Sequence, residues 1–196
     1  MIRPVAAAIL CALVALDGDV RLSKADATRF QAKLVQIERY GDQPRRPKGP
    51  RATQVSDVEI NAYFKYLAGS QVPVGIAEPM LHAAGGGRVT GQALVDLDAV
   101  RTQKKRAWTD PLGYLIGRLP VSAAGTLTTS NGIGRFQFES AQISGIPVPK
   151  SLLQELLSYY SKTPQNPAGI SMDAPFQLPA AIQEIRIGEG VATIVQ

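Results

Sequence analysis

The spacing of apolar residues changes after Gly69, and this change limits what the chain can fold into. In residues 23–41 and 56–69, apolar side chains recur every three or four positions, which is typical of amphipathic helices. After Gly69, apolar and polar residues alternate, which is typical of half-buried strands. Helices followed by strands predict an α+β fold, and we expect a long curved antiparallel sheet wrapped around one or two helices. The 18 glycines permit strong curvature of that sheet.

Capping and turn residues mark where these elements begin and end. Ser23–Asp26 and Ser56–Glu59 each resemble a capping box, which opens a helix. Asn131-Gly132 separates two strand-like runs and is a strong hairpin signal. The further elements that the pattern predicts are a strand at 77–84, a turn at 85–87, a strand at 88–100, strands at 118–129 and 134–143, an apolar helix at 150–162 and a final hairpin over 182–195.

The N-terminus resembles an export segment. Residues 1–16 have one early arginine and about a dozen apolar residues, a length that suits a signal peptide better than an ordinary membrane-spanning helix. We expect residues 1–22 to be a signal peptide or an N-terminal membrane anchor, which predicts a protein of the periplasm or cell envelope. Residues 23–51 hold a helix and a Pro/Arg-rich linker. The helix either packs on the domain or stands apart as a stalk above the membrane, and the prolines of the linker favour the stalk. Residues 52–196 form the α+β domain.

The chain has few residues of the types used in catalysis. It has one histidine, His82, and one cysteine, Cys11, and the cysteine lies in the export segment. This composition offers no thiol nucleophile and no Cys/His metal cluster, so we expect no cofactor, no metal and no enzyme activity. Asp96 and Asp98 are the nearest approach to paired catalytic carboxylates if they share a strand face. A hydrolase that uses them is kept as a formal alternative.

Positive charge is concentrated in short clusters. The net charge is +5, and basic residues cluster in residues 45–51 and at Lys104, Lys105 and Arg106. Neither cluster has the interleaved aromatic residues of a single-strand binder, so we expect no nucleic acid partner. A solvated loop is the simpler interpretation of each cluster, and contact of Lys104–Arg106 with an anionic membrane surface is the functional one.

One apolar helix and one apolar strand face predict a hydrophobic groove. Apolar residues cover more than half of the helix at 151–161, which is typical of a core helix lying on the sheet. Alternatively, one flank of this helix lines a groove for an acyl chain. The residues that we expect to form such a groove are Phe136, Phe138, Leu153, Leu156, Tyr160, Val95 and Leu97.

Three sequence elements resemble a known group of envelope proteins. They are SDVEINAY at Ser56–Tyr63, the NG and GIPVP elements at 131–132 and 145–149, and FQLPAAI at Phe176–Ile182. On these elements, residues 52–196 resemble the LmeA-like and YpmS-like bacterial envelope proteins, which are similar to the tubular lipid-binding superfamily. The resemblance implies a curved antiparallel sheet around a helix and lipid binding at the envelope, and it transfers no catalytic residue. Because the chain is short for a tubular module, an open half-tube or a groove completed by dimerisation fits as well as a closed tunnel.

The leading hypothesis is therefore an exported envelope protein that binds or transports a lipid or another hydrophobic ligand without catalysis. The alternative is a structural or assembly factor of the envelope that holds no ligand, in which the apolar helix is part of the core.

Overall fold

The computed structural model describes residues 21–43, 49–102, 117–163 and 166–196. The export segment with Cys11, most of the basic linker and the Lys104–Arg106 cluster lie outside the described residues. The helices are α1 (Lys24–Gly41), α2 (Asp57–Tyr66), α3 (Leu97–Thr102) and α4 (Lys150–Ser161). The strands are β1 (Ala52–Ser56), β2 (Ile76–Gly85), β3 (Arg88–Asp96), β4 (Arg118–Ser130), β5 (Ile133–Ile143), β6 (Ile146–Pro147), β7 (Phe176–Gln177), β8 (Glu184–Gly188) and β9 (Val191–Val195).

The strands form two antiparallel sheets. The larger has the order β2-β3-β4-β5-β6, with β7 pairing with β5 as well, and the smaller has the order β1-β9-β8. The larger sheet does not close into a barrel. Helices packed with antiparallel sheets confirm the α+β class that the sequence predicts.

Both capping boxes are confirmed. The Asp26 backbone N–H donates to Ser23 Oγ at 3.2 Å, and the Glu59 backbone N–H donates to Ser56 Oγ at 3.3 Å. In return, the carboxylates of Asp26 and Glu59 accept hydrogen bonds from the backbone N–H groups of the two serines. Four backbone donors at the helix starts therefore have partners within their own turns.

The β4–β5 hairpin is confirmed at Asn131-Gly132. Both residues have positive φ angles, 50° for Asn131 and 78° for Gly132, as a two-residue type I′ turn requires. The two strands then pair from Ser130 and Ile133 onward, with one bulge where Ala124 is followed by Gly125.

The strand predicted over 88–100 is shorter than expected. It ends at Asp96, whose carboxylate accepts a hydrogen bond from the Ala99 backbone N–H at 3.0 Å, as a helix N-cap does. Leu97 begins α3 and is buried, so it does not continue the strand face of Val95. The prediction that Asp96 and Asp98 share a strand face is wrong, because the chain turns into a helix between them.

The core lies among α1, α2 and the small sheet. Ala27 of α1 and Ala62 of α2 have no exposed surface, and the rings of Phe30 and Tyr63 meet edge to face with centroids 5.2 Å apart. Lys33 Nζ lies 2.7 Å from each carboxylate oxygen of Glu59. Helix α1 therefore packs on the domain, and the expectation that the prolines hold it away as a stalk is wrong.

Among the helices of the described residues, none combines the length and hydropathy that crossing a membrane requires.

Candidate functional site

One face of the larger sheet is apolar and incompletely covered. The strand register places Val95 beside Leu119, Phe138 beside Gly125 and Phe136 beside Leu127, and these β4 residues alternate on a single face. None of the large apolar side chains on this face is fully buried. Leu81 and Phe176 are exposed, and the half-buried residues include Val89, Val95, Leu119, Val121, Leu127, Phe136, Phe138 and Ile143. The face therefore presents apolar surface that the described residues do not enclose.

Two aromatic rings lie flat on this face because glycines make room for them. A Cβ atom built on Gly125 would lie 2.8 Å from Phe136 Cε1, and one built on Gly134 would lie 2.6 Å from Phe176 Cζ. Each ring therefore covers the backbone of a glycine, an arrangement that protects sheet backbone where no side chain can. The rings add apolar area to the same face of the sheet.

Helix α4 lies beside β5. Leu153 and Leu156 are half-buried, and Leu152 is exposed. No described side chain of α4 is fully buried, and Leu153 and Leu156 are each covered in part. Both interpretations of α4 stay predictions: a core helix that lies on the sheet, or a helix with one flank free for a ligand. Tyr160 lies in α4, and its side chain falls outside the described residues.

The opposite flank of α4 is occupied by the loop that follows it. Gln154 donates from Nε2 to the Ile170 carbonyl at 3.0 Å and accepts from the Met172 backbone N–H at 2.7 Å. Ser161 Oγ accepts from the Ile170 backbone N–H at 2.7 Å. These hydrogen bonds fasten the loop along the helix, and they leave the leucine flank without polar partners.

The residues predicted from sequence for the groove are only partly brought together. Val95, Phe136 and Phe138 share the apolar sheet face, but Val95 pairs six positions along β4 from Phe138, which is about 20 Å. Leu153 and Leu156 lie on α4 beside β5, and Leu97 is buried in α3. Three of the predicted residues therefore share one sheet face, but the seven do not form a single cluster.

A cavity of about 600 Å³ lies over the middle of the same sheet. Three consecutive residues from each of β2, β3, β4 and β5 line it, and residues near α2 and the β8–β9 turn close it. The strand residues are Met80–His82, Thr90–Gln92, Ser122–Ala124 and Ser140–Gln142; the others are Leu22, Asp57, Val58, Asn61 and Gly190. None of the seven residues predicted from sequence lines this cavity.

The register indicates which face the cavity occupies. His82, Thr90, Ala124 and Ser140 form one row across the strands, and Met80, Gln92, Ser122 and Gln142 form the next row on that same face. The bulky neighbours on the apolar face, such as Val89, Val121 and Phe138, are not among the lining residues. We infer that the cavity lies on the face opposite to the apolar one. The alternation of Thr, Gln and Ser along β3, β4 and β5 is the signal that could have identified this face from sequence.

Helix α2 closes one end of the cavity through two side chains. The side chain of Asn61 pairs with the free edge of β2 as the backbone of a neighbouring strand would. The Leu81 N–H donates to Asn61 Oδ1, and Asn61 Nδ2 donates to the Leu81 carbonyl, both at 2.8 Å. Asp57 accepts from the Ala83 backbone N–H at 3.1 Å and lies 2.7 Å from His82 Nδ1. A smaller cavity of about 330 Å³ adjoins the first and shares Met80, Gln92 and Ser122 with it.

The carboxylates considered for catalysis have structural partners. Two hydrogen bonds hold the pKa of Asp96 below its ordinary value. The larger effect comes from the Ala99 backbone N–H, and the next largest comes from Arg118. Asp98 accepts a hydrogen bond from the Gly117 backbone N–H at 3.1 Å. A general acid needs a raised pKa, so Asp96 is poorly suited to that role. In the described part of the chain, no group of three or more Asp, Glu, His or Cys side chains is placed to hold a metal ion.

Comparisons with known proteins return distant structural similarity but no sequence family. No family model matches the chain, and no curated protein matches it. The chain is similar to a crystal structure of lipopolysaccharide binding protein, with 17% sequence identity and a TM-score of 0.23. That alignment covers 74% of this chain and 40% of the other, so the chain spans less than half of that protein's length.

Proposed function

We propose that this protein binds a lipid or another hydrophobic ligand on the apolar face of its larger sheet, without catalysing a reaction. One observation carries this proposal: no large apolar side chain on that face is fully buried. A soluble domain ordinarily covers such a face, and a contiguous apolar surface is typical of a binding site. The leucine flank of α4 would form the second wall of the groove.

The gain from burying an acyl chain on this face depends on the length of the chain. Each methylene group removed from water contributes about 0.8 kcal/mol. Full burial of about twelve methylenes contributes on the order of 10 kcal/mol, which lies within the range of the association cost, about 4–15 kcal/mol. The proposal therefore requires a long acyl chain, most of which is buried between the sheet face and α4.

We further propose that the protein acts in the periplasm or cell envelope. Two sequence features support this location: the apolar N-terminal run, and the resemblance of residues 52–196 to the LmeA-like and YpmS-like envelope proteins. Lys104, Lys105 and Arg106 would direct the protein towards anionic membrane surfaces. The absence of catalysis is also part of the proposal. It is supported by the composition, since the chain has one histidine and one cysteine.

The test is native mass spectrometry on the full chain purified from its own envelope, followed by organic extraction and lipid identification. We expect a stoichiometric adduct whose mass matches an extracted lipid. A clean apo mass, with no uptake from phospholipid vesicles, would overturn the proposal and favour a structural or assembly role.

A matched pair of variants locates the ligand. Phe138→Asp places a carboxylate on the apolar face, whereas Gln137→Asp places the same group on the opposite face of the same strand. We expect the adduct to be lost from Phe138→Asp and kept in Gln137→Asp. If Phe138→Asp does not fold, Leu156→Asp on α4 tests the other wall. Retention of lipid by a folded Phe138→Asp or Leu156→Asp variant would show that the groove is elsewhere.

A further inference from the structure

We propose that the 600 Å³ cavity on the opposite face of the sheet is a second binding site, which takes an uncharged saccharide. The proposal does not rest on lipid binding, because the lipid groove and the cavity use side chains that project from opposite faces. The lining is mostly apolar in area, and three further properties of its described residues carry the proposal: the hydroxyl groups among them, the lack of cationic side chains among them and the fixed shape of the frame.

The walls offer hydroxyl and amide groups without partners. Thr90, Ser122, Ser140 and Gln142 line the cavity, and no hydrogen bond joins their side chains to another described residue. A hydroxyl both donates and accepts, and a carboxamide does the same through its two ends. Sugar hydroxyls are complementary to such groups, since each can donate to one neighbour and accept from another.

His82 adds an oriented ring nitrogen. A carboxylate only accepts hydrogen bonds, so the 2.7 Å contact turns Nδ1 of the ring towards Asp57. Nε2 then has no partner among the described residues. A ligand hydroxyl can pair with that nitrogen, because a hydroxyl both donates and accepts.

The charges around the cavity disfavour ionic ligands. Of the residues that the structure describes, no lysine or arginine lines either of the two adjoining cavities. Their charged residues are the carboxylates Asp57 and Glu78, which would repel a phosphate or a carboxylate. Asp57 is already occupied by His82 and the Ala83 backbone N–H, so it offers little to a cation. An uncharged ligand is the one that this lining suits.

The cavity has a suitable size and a firm frame. Its volume falls within the range of about 300–1,000 Å³ that small-molecule sites occupy. Its lining residues belong to four paired strands, and the Asn61–Leu81 hydrogen bonds hold α2 against the edge of β2. Polar groups on such a frame keep their positions before a ligand arrives, which reduces the cost of binding.

The test compares one sugar ring in three charge states. Backbone amide resonances of the full chain are followed by NMR during titration with glucose, glucose 6-phosphate and glucosamine, and with maltose as a larger uncharged probe. We expect saturable shifts centred on Thr90, Ser122 and Ser140 with glucose or maltose, and binding of glucose 6-phosphate about tenfold weaker than that of glucose. Absence of saturable shifts with both uncharged sugars would overturn the proposal. Tighter binding of glucose 6-phosphate or glucosamine would overturn it as well.

Two variants assign the site. The double substitution of Thr90→Val with Ser140→Ala removes two hydroxyls with little change in shape, and we expect about tenfold weaker binding of the uncharged sugar. Thr128→Val is the control, because Thr128 lies on the same sheet face outside the cavity. Equal weakening by the control would contradict the assignment, and Ser140→Ala alone replaces the double variant if that does not fold. Lipid retention measured on the same variants is expected to be unchanged, so failure of this proposal is distinguishable from failure of the lipid one.

Discussion

The ring of Phe136 lies over the backbone of Gly125, on the neighbouring strand and on the apolar face of the sheet. A Cβ atom at Gly125 would lie 2.7 Å from the Gln137 carbonyl oxygen as well as 2.8 Å from the ring. The ring can rotate away, but the backbone oxygen cannot. The glycine is therefore required by the close approach of β5 at the bulge.

The Gly125→Ala substitution should destabilise the protein for this reason. We expect a loss of about 1–3 kcal/mol in the free energy of unfolding, measured by urea denaturation. Gly91→Ala is the matched control, because its Cβ would lie 3.7 Å from the Met80 carbonyl oxygen, an ordinary contact distance. Equal stability of the two variants would mean that β5 does not approach β4 as closely as described.

Glu59 should make the stability depend on acid pH. Burial acts to raise the pKa of Glu59, but hydrogen bonds from Lys33 and from the Ser56 backbone N–H outweigh it and lower the pKa below its ordinary value of 4.5. A carboxyl whose pKa is lower in the folded state stabilises the fold above its unfolded pKa. That contribution is lost as the pH falls through the folded-state pKa. We therefore expect the free energy of unfolding to fall as the pH drops below 4.5.

The Glu59→Gln substitution should remove this pH-dependent contribution and destabilise the protein at neutral pH. We expect a loss of about 1–3 kcal/mol, because the Lys33 ammonium and the Ser56 N–H lose a charged acceptor. Glu155→Gln on the exposed side of α4 is the control and should leave the pH profile unchanged. Denaturant titrations at pH 7 and at several acid pH values make the comparison; parallel profiles for both variants would refute the role of Glu59.

Asn61 should be essential to the edge of β2. Substitution by Ala leaves the Leu81 N–H and carbonyl without their partner, and we expect the free energy of unfolding to fall by about 1–3 kcal/mol. Hydrogen exchange of the Leu81 amide should accelerate more than that of amides in β4. Gln137→Ala, at an exposed position of β5, should have little effect. An unchanged exchange rate at Leu81 would contradict the pairing.

Gln154 should control the loop that follows α4. Gln154→Ala removes the two hydrogen bonds to Ile170 and Met172, which frees the loop for proteolysis. We expect cleavage within residues 166–172 to accelerate about tenfold, since each hydrogen bond contributes about 0.5–1.5 kcal/mol. Gln177→Ala in β7 is the control. Limited proteolysis followed by mass spectrometry identifies the cleavage site and its rate. An unaltered cleavage rate would show that Gln154 does not hold the loop against α4.

Much of the fold was predictable because its signals are local. The two capping boxes and the Asn131-Gly132 turn each act through residues that are three positions apart or adjacent, so the sequence contains the whole interaction. The end of β3 is a local signal that the alternation concealed. Asp96 was interpreted as a polar strand residue, although an aspartate three residues before an alanine amide can equally cap a helix.

The cavity was not predictable, because it depends on contacts between distant parts of the chain. Asn61 and Leu81 are twenty residues apart, and Thr129 Oγ1 reaches the backbone of Ile185 across 56 positions. Periodicity identifies which side chains share a face, as it did for Val95 and Phe138. It does not reveal which face another element leaves open.

The pairing of β1 with β9 has a consequence for how the chain reaches its native state. Ala52 pairs with Val195 and Ser56 with Val191, so the small sheet joins segments separated by most of the chain. Such distant pairing carries a large loop-closure entropy and slows folding. During synthesis, α1 and α2 emerge long before the hairpin that completes their core. Their apolar faces stay exposed until then, and a chaperone that shields them would raise the yield of the protein.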